Sequence, residues 1–310
     1  MWKVAGSVRV GIPRGLFWYY APGSYEVFWE ALGFEVVQSP PTNREIFEEG
    51  LRLAHEELCM PAKIFHGHVA FLKDRVDFIF IPRIVSMMKR RRKRYGCPKF
   101  MGLPELIKSS VPSLPPVINV DIDLAGNSLD HAFLSLRNSL GLKETAIRHA
   151  VGEMVNFERV NTPYATLPSD NEKVRIGVVG HPYILYDPYL SMNLLNKLSS
   201  YVSDYLTSAE VPRNVIESEL RPEIDLYWIY ERELVGAASF FVNNSHFDGC
   251  LHCVSFGCGP GSVIMEIVER KIVGRKDFPF FTLVMDENIA ETGLLTRLET
   301  FCDIVRMRKS

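Results

Sequence analysis

The chain has 310 residues, 47% of them hydrophobic and 23% charged, with a formal net charge of −2. That length predicts two domains rather than one, and the composition excludes a disordered chain, a collagen and a coiled coil. A nearly balanced charge excludes a global field for nucleic acid or a membrane surface, and no segment approaches the roughly 18 uninterrupted apolar residues of a membrane span.

In chain order, "VRVGIPRGLFWYY" opens with a short β-branched apolar run that stops at a Gly-Pro break, as a buried parallel strand feeding a loop does. "GSYEVFWEALGF" has helical spacing and ends at Gly33, and "EVVQSP" reads as the second strand. A helix over "NREIFEEGLRLAHEEL", a strand in "VDFIFIPRI", a helix in "MGLPELIKSSV" and a strand in "PPVINVDI" continue the alternation, and a polar helix pair from Leu129 to Phe157 closes the first half. "NTPYATLPSDNEK" has turn-forming residues without periodicity and reads as a linker over 161–173. The second half repeats the opening in "VRIGVVGHPY". Helices follow in "YLSMNLLNKLSSYV" and "YWIYERELVGAASFFV", a strand in "FDGCLHCV", a helix after Pro260, a strand in "FPFFTLVM" and a helix through "LLTRLETFCDIV". The pattern predicts an α/β fold of two doubly wound, Rossmann-like parallel-sheet domains, 1–160 and 174–310, facing across a cleft with ligands at the carboxyl ends of the strands.

The residues before Pro13 hold no apolar core of secretory length, which predicts a cytoplasmic protein. Six cysteines there read as reduced thiols or metal ligands rather than a disulfide framework. Cys59 and Cys97 fall in the first domain, and Cys250, Cys253 and Cys258 at and beyond the end of a strand in the second. All of these but Cys250 are expected in loops beside Pro or Gly, whereas Cys302 sits on the apolar face of a helix as a small hydrophobe. Only Cys250 and Cys253 form a CxxC pair, so a zinc ribbon is not spelled out; isolated cysteines from two α/β domains suit an iron-sulfur cluster at their interface. Zinc and inert buried thiols remain the alternatives.

"IPRGLFWYY", "ELCMPAKIFHGHVAFL", "DFIFIPRIVS", "CPKFMGLPELI", "VGHPYILYDPYLSMNL", "FGCGPGS" and "MDENIAETGLLTRLETF" occur in that order. In these motifs the chain resembles acyl-CoA dehydratase activase-related proteins, of the 2-hydroxyacyl-CoA dehydratase, benzoyl-CoA reductase and double-cubane cluster protein group. The resemblance implies an oxygen-sensitive protein of anaerobes that binds a 4Fe-4S or related cluster and takes electrons from a separate ATP-hydrolysing activator protein. Its setting would be dehydratase- or reductase-type chemistry on an acyl-CoA substrate, with a homologous subunit or a second copy as partner. Whether the chain has a reaction of its own is left open. The motif cysteines are Cys59, Cys97 and Cys258, with Cys253 as fourth ligand; three ligands leave one iron open, and four close an electron-transfer cluster. A double-cubane cluster would also need Cys302. The basic run Lys89 to Arg94 departs from the family pattern and would dock an acidic partner or coenzyme A phosphates, or be a solvated loop.

His66 and His68 are candidates for a ligand or a hydrogen bond to cluster sulfur, or for polar helix residues satisfied by backbone. Lys63 would bring positive charge to an anionic cluster, and His181 would touch substrate or cluster. Asp286, Glu287 and Glu291 read as helix-start residues more than as an acid-base pair. "FGCGPGS" lacks the lysine and spacing of a P-loop.

Overall fold

A computed structural model describes residues 8–88, 94–161, 174–220, 225–274, 277–288 and 290–309. The chain divides into two compact units, Met1–Thr162 and Pro163–Ser310. The linker from 162 onward and the basic residues 89–93 lie outside the described residues.

The N-terminal unit runs β1 (Arg9–Ile12), α1 (Ser24–Ala31), β2 (Glu35–Gln38), α2 (Arg44–Leu53), α3 (Met60–Leu72), β3 (Phe78–Phe80), β4 (Arg83–Ser86), α4 (Pro98–Met101), α5 (Leu103–Ser110), β5 (Val117–Ile118), β6 (Asp121–Asp123), α6 (Leu129–Phe133), α7 (Leu136–Leu140) and α8 (Glu144–Asn161). Its sheet is parallel, in the order β2-β1-β3-β5, with a two-stranded parallel ladder β4-β6 beyond. The single strand expected over "VDFIFIPRI" is thus two. Pro82 has no N–H to give the ladder, so β3 stops before it and β4 starts after it. Trp29 and Phe28 fill the face under α1, with Trp29 edge-on to Phe78 and Phe80 at 5.3 Å each. The expected polar helix pair is three helices, because Gly141 takes φ 71° and ends α7 before α8 begins.

The C-terminal unit runs β7 (Arg175–Gly180), α9 (Pro182–Leu185), α10 (Leu194–Leu198), β8 (Asp204–Thr207), α11 (Arg213–Glu219), α12 (Ile229–Asn243), β9 (Gly249–Ser255), α13 (Gly259–Ile267), a π-helical turn Val268–Val273, β10 (Phe280–Met285) and α14 (Glu291–Lys309). The sheet is parallel in the order β10-β9-β7-β8. The helix expected over 189–202 shrinks to α10, preceded by left-handed Met192 and Asn193, and β8 was not foreseen. α12 lies directly on β7: a Cβ on Gly177 would come within 2.2 Å of the Phe241 ring. Phe240, Phe241, Phe247, Val179 and Cys250 share that core.

Counted within each four-stranded sheet, both have strand order 2-1-3-4. Crossovers therefore leave in opposite directions between β1 and β3 and between β7 and β9, the switch points at which doubly wound sheets take ligands.

Candidate functional site

Cys59, Cys97 and Cys258 are the N-cap residues of α3, α4 and α13, each with extended backbone and a proline in the first turn behind it: Pro61, Pro98 and Pro260. Proline there sacrifices no hydrogen bond, since the first N–H groups of a helix have no intrahelical partner. The remaining free N–H groups lie on the side of the capping residue, where a side chain can accept from them. Cys258 shows the contact, its Sγ accepting the Gly261 N–H at 3.3 Å.

Two of the three thiols follow the third strand of their own unit, Cys97 by way of β3 and β4 and Cys258 directly from β9. Cys59 reaches the carboxyl edge of the N-terminal sheet differently. A Cβ on Gly15, just past β1, would touch Phe65 and His68 of α3, so that part of α3 is level with the strand end. Cys59 lies nine residues nearer the helix start, about 13 Å farther out at 1.5 Å per residue. The helix is seated by α2, where backbone meets backbone: a Cβ on Gly67 would fall 1.9 Å from the Ile46 carbonyl oxygen, and one on Gly50 2.3 Å from that of Lys63. Cys59 is 8% exposed. Burial pushes its thiol up, while Lys99 and Lys63 pull it back down; Lys99 also donates to the Glu57 carbonyl at 3.4 Å.

Cys253 is not in a loop. It lies inside β9, paired to Gly180 and Leu283, and is 1% exposed; burial pushes its thiol up to about 12. The expected loop begins only after Ser255, because β9 runs the full length of its neighbours. Cys250 is fully buried in the core under α12, and its thiol is pushed up by burial and by Cys253. Cys302 is core as expected, buried beside Leu298, Phe301 and Val305 along α14. Among the described residues no group of three or more His, Cys, Asp or Glu side chains is arranged to hold a metal ion.

His68 is satisfied by side chains rather than backbone: Ser39 Oγ at 2.9 Å from Nδ1 and Thr42 Oγ1 at 3.0 Å from Nε2. Burial, with Arg14 nearby, pushes it down to about 3. His66 Nδ1 meets the Ala62 carbonyl oxygen at 2.7 Å. Both rings are fully buried on α3. Asp286 accepts the Asn288 N–H at 2.7 Å, and Glu291 opens α14 and pairs with Lys197 at 2.7 Å, so these carboxylates have structural work.

A second set of groups escaped the sequence reading, apart from His181. His181 follows β7 immediately, and its Nε2 lies 3.7 Å from Glu231 Oε1 in the first turn of α12. The meeting follows from the Phe241–Gly177 contact: ten residues of helix from Phe241 and four of strand from Gly177 both climb about 13 to 15 Å. Burial pushes Glu231 up to about 7, with Glu233 adding to it; burial, then His252, pushes His181 down to about 3. The signal for Glu231 was available, a carboxylate on the apolar stripe continued by Leu234, Val235 and Ala238.

Two parallel, doubly wound units define the class: an α/β protein of Rossmann-like domains. The model of the family described as "CoA enzyme activase uncharacterised domain" matches residues 9–211, and the chain belongs to that family. The match takes in Cys59, Cys97 and His181 and ends before β9, Cys253 and Cys258. No curated protein matches the chain. No helix of the described residues is long and apolar enough to cross a membrane.

Proposed function

We propose that this protein is an iron-sulfur component of a CoA-enzyme system, working in low-potential electron transfer or reductive chemistry with a separate ATP-hydrolysing activator protein and an acyl-CoA substrate. One observation carries the reading: Cys59, Cys97 and Cys258 all occupy helix N-caps with proline behind them, a repeated placement of sulfur beside the free N–H groups of a helix start. Cysteine thiolates are the donor type that a 4Fe-4S cluster takes. When bound, such a group supplies one-electron transfer at low potential. The chain's own part is to hold it through Cys59, Cys97 and Cys258, to offset its negative charge with Lys63 and Lys99, and to point backbone N–H groups at sulfur, as Gly261 does toward Cys258. Cys253 is the fourth ligand of a closed cluster and would have to reach it from within β9.

The test is anaerobic purification of the full chain with assay of iron, labile sulfide and zinc, and electron paramagnetic resonance of the reduced form. Iron with sulfide is expected, lost in Cys59→Ala, Cys97→Ala or Cys258→Ala and retained in Cys302→Ala. Iron that disappears with Cys302→Ala would overturn the ligand assignment. The second reading is a non-redox module for an acyl-CoA-type ligand, with structural thiols or zinc. It is favoured by the absence of any three-ligand group among the described residues, and protein free of iron, or carrying zinc alone, that also binds an acyl-CoA would support it over the first.

A further inference from the structure

The switch point between β7 and β9 carries chemistry that the cysteines do not explain. His181 and Glu231 face each other there with side chains 4% and 2% exposed. Among the described residues Glu231 Oε2 has no hydrogen-bond partner, and neither has either ring nitrogen of His252 on β9. His252 pairs in register with Val179, and Val179 packs among α12 residues. Paired residues of parallel strands point to one face, so the His252 ring lies on the side from which Glu231 comes. Aromatic rings wall the place: Tyr183 stacks on His181 at 4.9 Å, and Tyr230 meets it edge-on at 6.5 Å. Tyr227, 55% exposed, lies just before α12, and Phe256, 66% exposed, just after β9.

The surrounding charges are engaged elsewhere. Arg232 turns to Glu217 of α11 at 3.1 Å, and Glu233 pairs with Arg213 of α11 at 3.2 Å. Glu210 caps the turn after β8 through Thr207, and Glu266 of α13 and Glu269, Arg270 and Lys271 of the π-helical turn are exposed. A carboxyl and two imidazoles thus sit buried together at the switch point of the sheet, and Glu231 Oε2 and the His252 ring nitrogens have no hydrogen-bond partner among the described residues. Buried polar atoms are nearly always paired, so each exception calls for an explanation.

We propose that Glu231 is a general acid-base residue for a planar, uncharged ligand entering at the β7/β9 switch point, and that His181 is its positioning residue. In the step, Glu231 Oε2 takes a proton from a polarised C–H or O–H of the ligand. The electron pair of that bond stays on the ligand, and a new O–H bond forms on the carboxyl. The neutral His181 ring donates its Nε2–H to Oε1, a contact of 3.7 Å in the free protein that shortens when a ligand fills the site. The aromatic walls select a flat molecule. The inference uses none of the cysteines and stands apart from the cluster reading.

The probe is 5-nitrobenzisoxazole, a flat neutral molecule that opens to a coloured cyanophenolate when a base removes its carbon-bound proton and the N–O bond breaks. With the full chain, turnover should rise with pH through a single ionisation near neutrality. Glu231→Gln, which keeps the shape, should lower the rate at least about tenfold, and Glu231→Asp should retain part of it. His181→Phe keeps a ring but no donor; it should leave turnover measurable while moving the midpoint upward. Wild-type turnover no faster than that of Glu231→Gln overturns the catalytic role, and an unmoved midpoint in His181→Phe overturns the positioning role. If a variant does not fold, the infrared carbonyl band of the wild-type chain decides: a buried carboxylic acid should persist at about pH 6 and fade above neutrality, and its absence at about pH 6 overturns the proposal.

Discussion

Replacing Glu231 with glutamine separates its charge from its shape and should change how stability depends on pH. In the unfolded chain this carboxyl releases its proton around its ordinary value of 4.5, whereas burial in the folded protein holds the proton until about 7. Between those values the folded state binds more protons than the unfolded one, so stability falls as pH rises through the window and levels off above it. A separation of about 2.5 pH units at about 1.36 kcal/mol each gives a loss of about 3 kcal/mol by pH 8. The amide has nothing to ionise and escapes the loss. The buried His181 behaves oppositely, its contribution being lost as pH falls from 6.5 toward 3, but that applies to both proteins and cancels in their difference. Urea unfolding of wild type and Glu231→Gln across this range should therefore show the variant gaining about 3 kcal/mol on wild type between acid and mildly alkaline pH. Parallel stability profiles would refute the reasoning and show that the Glu231 carboxyl titrates as it does in water.

Three further outcomes are expected. Gly67→Ala should destabilise the N-terminal unit by about 3 kcal/mol or more, because its Cβ would lie 1.9 Å from the Ile46 carbonyl oxygen and backbone cannot yield as a side chain does; thermal unfolding would show it, and a change under about 0.5 kcal/mol would contradict the packing. Phe241→Ala should cost about 3 to 5 kcal/mol, since this ring is fully buried and covers Gly177, and chemical denaturation measures it. In the metal-free native protein, iodoacetamide followed by mass spectrometry should mark Cys97 and Cys258, which are half-buried, well before the buried Cys59, Cys250, Cys253 and Cys302; early labelling of Cys253 would place it outside the strand.

The strands that were easiest to read are the ones buried on both faces, such as "VRVGI", "FIF" and "RIGVVG", because a parallel sheet covered by helices on both sides demands continuous apolar runs. β8 was hidden because "DYLT" is short, polar at its start and continuous with the helical spacing before it. Only its pairing with β7, from Arg175↔Asp204 to Val178↔Thr207, reveals it. Cysteine positions were legible wherever proline follows within two residues, since that spacing marks a helix start. Cys253 has no such mark, and the length of β9 is set by its partners rather than by its own residues. Glu231 was missed for a different reason: a charge on a helix is ordinarily solvated, and its place on the apolar stripe of Leu234, Val235 and Ala238 was the one local sign that α12 seats it in the core.

The shared winding order gives the two halves a positional rhyme. The exit of the third strand leads to a cysteine in each, Cys97 and Cys258, but the residue capping the helix before that strand is Cys59 in one half and Trp228 in the other. A demand that acts on strand exits is thus met twice along the chain, while whatever distinguishes sulfur from an indole at the preceding helix is asked of one half alone.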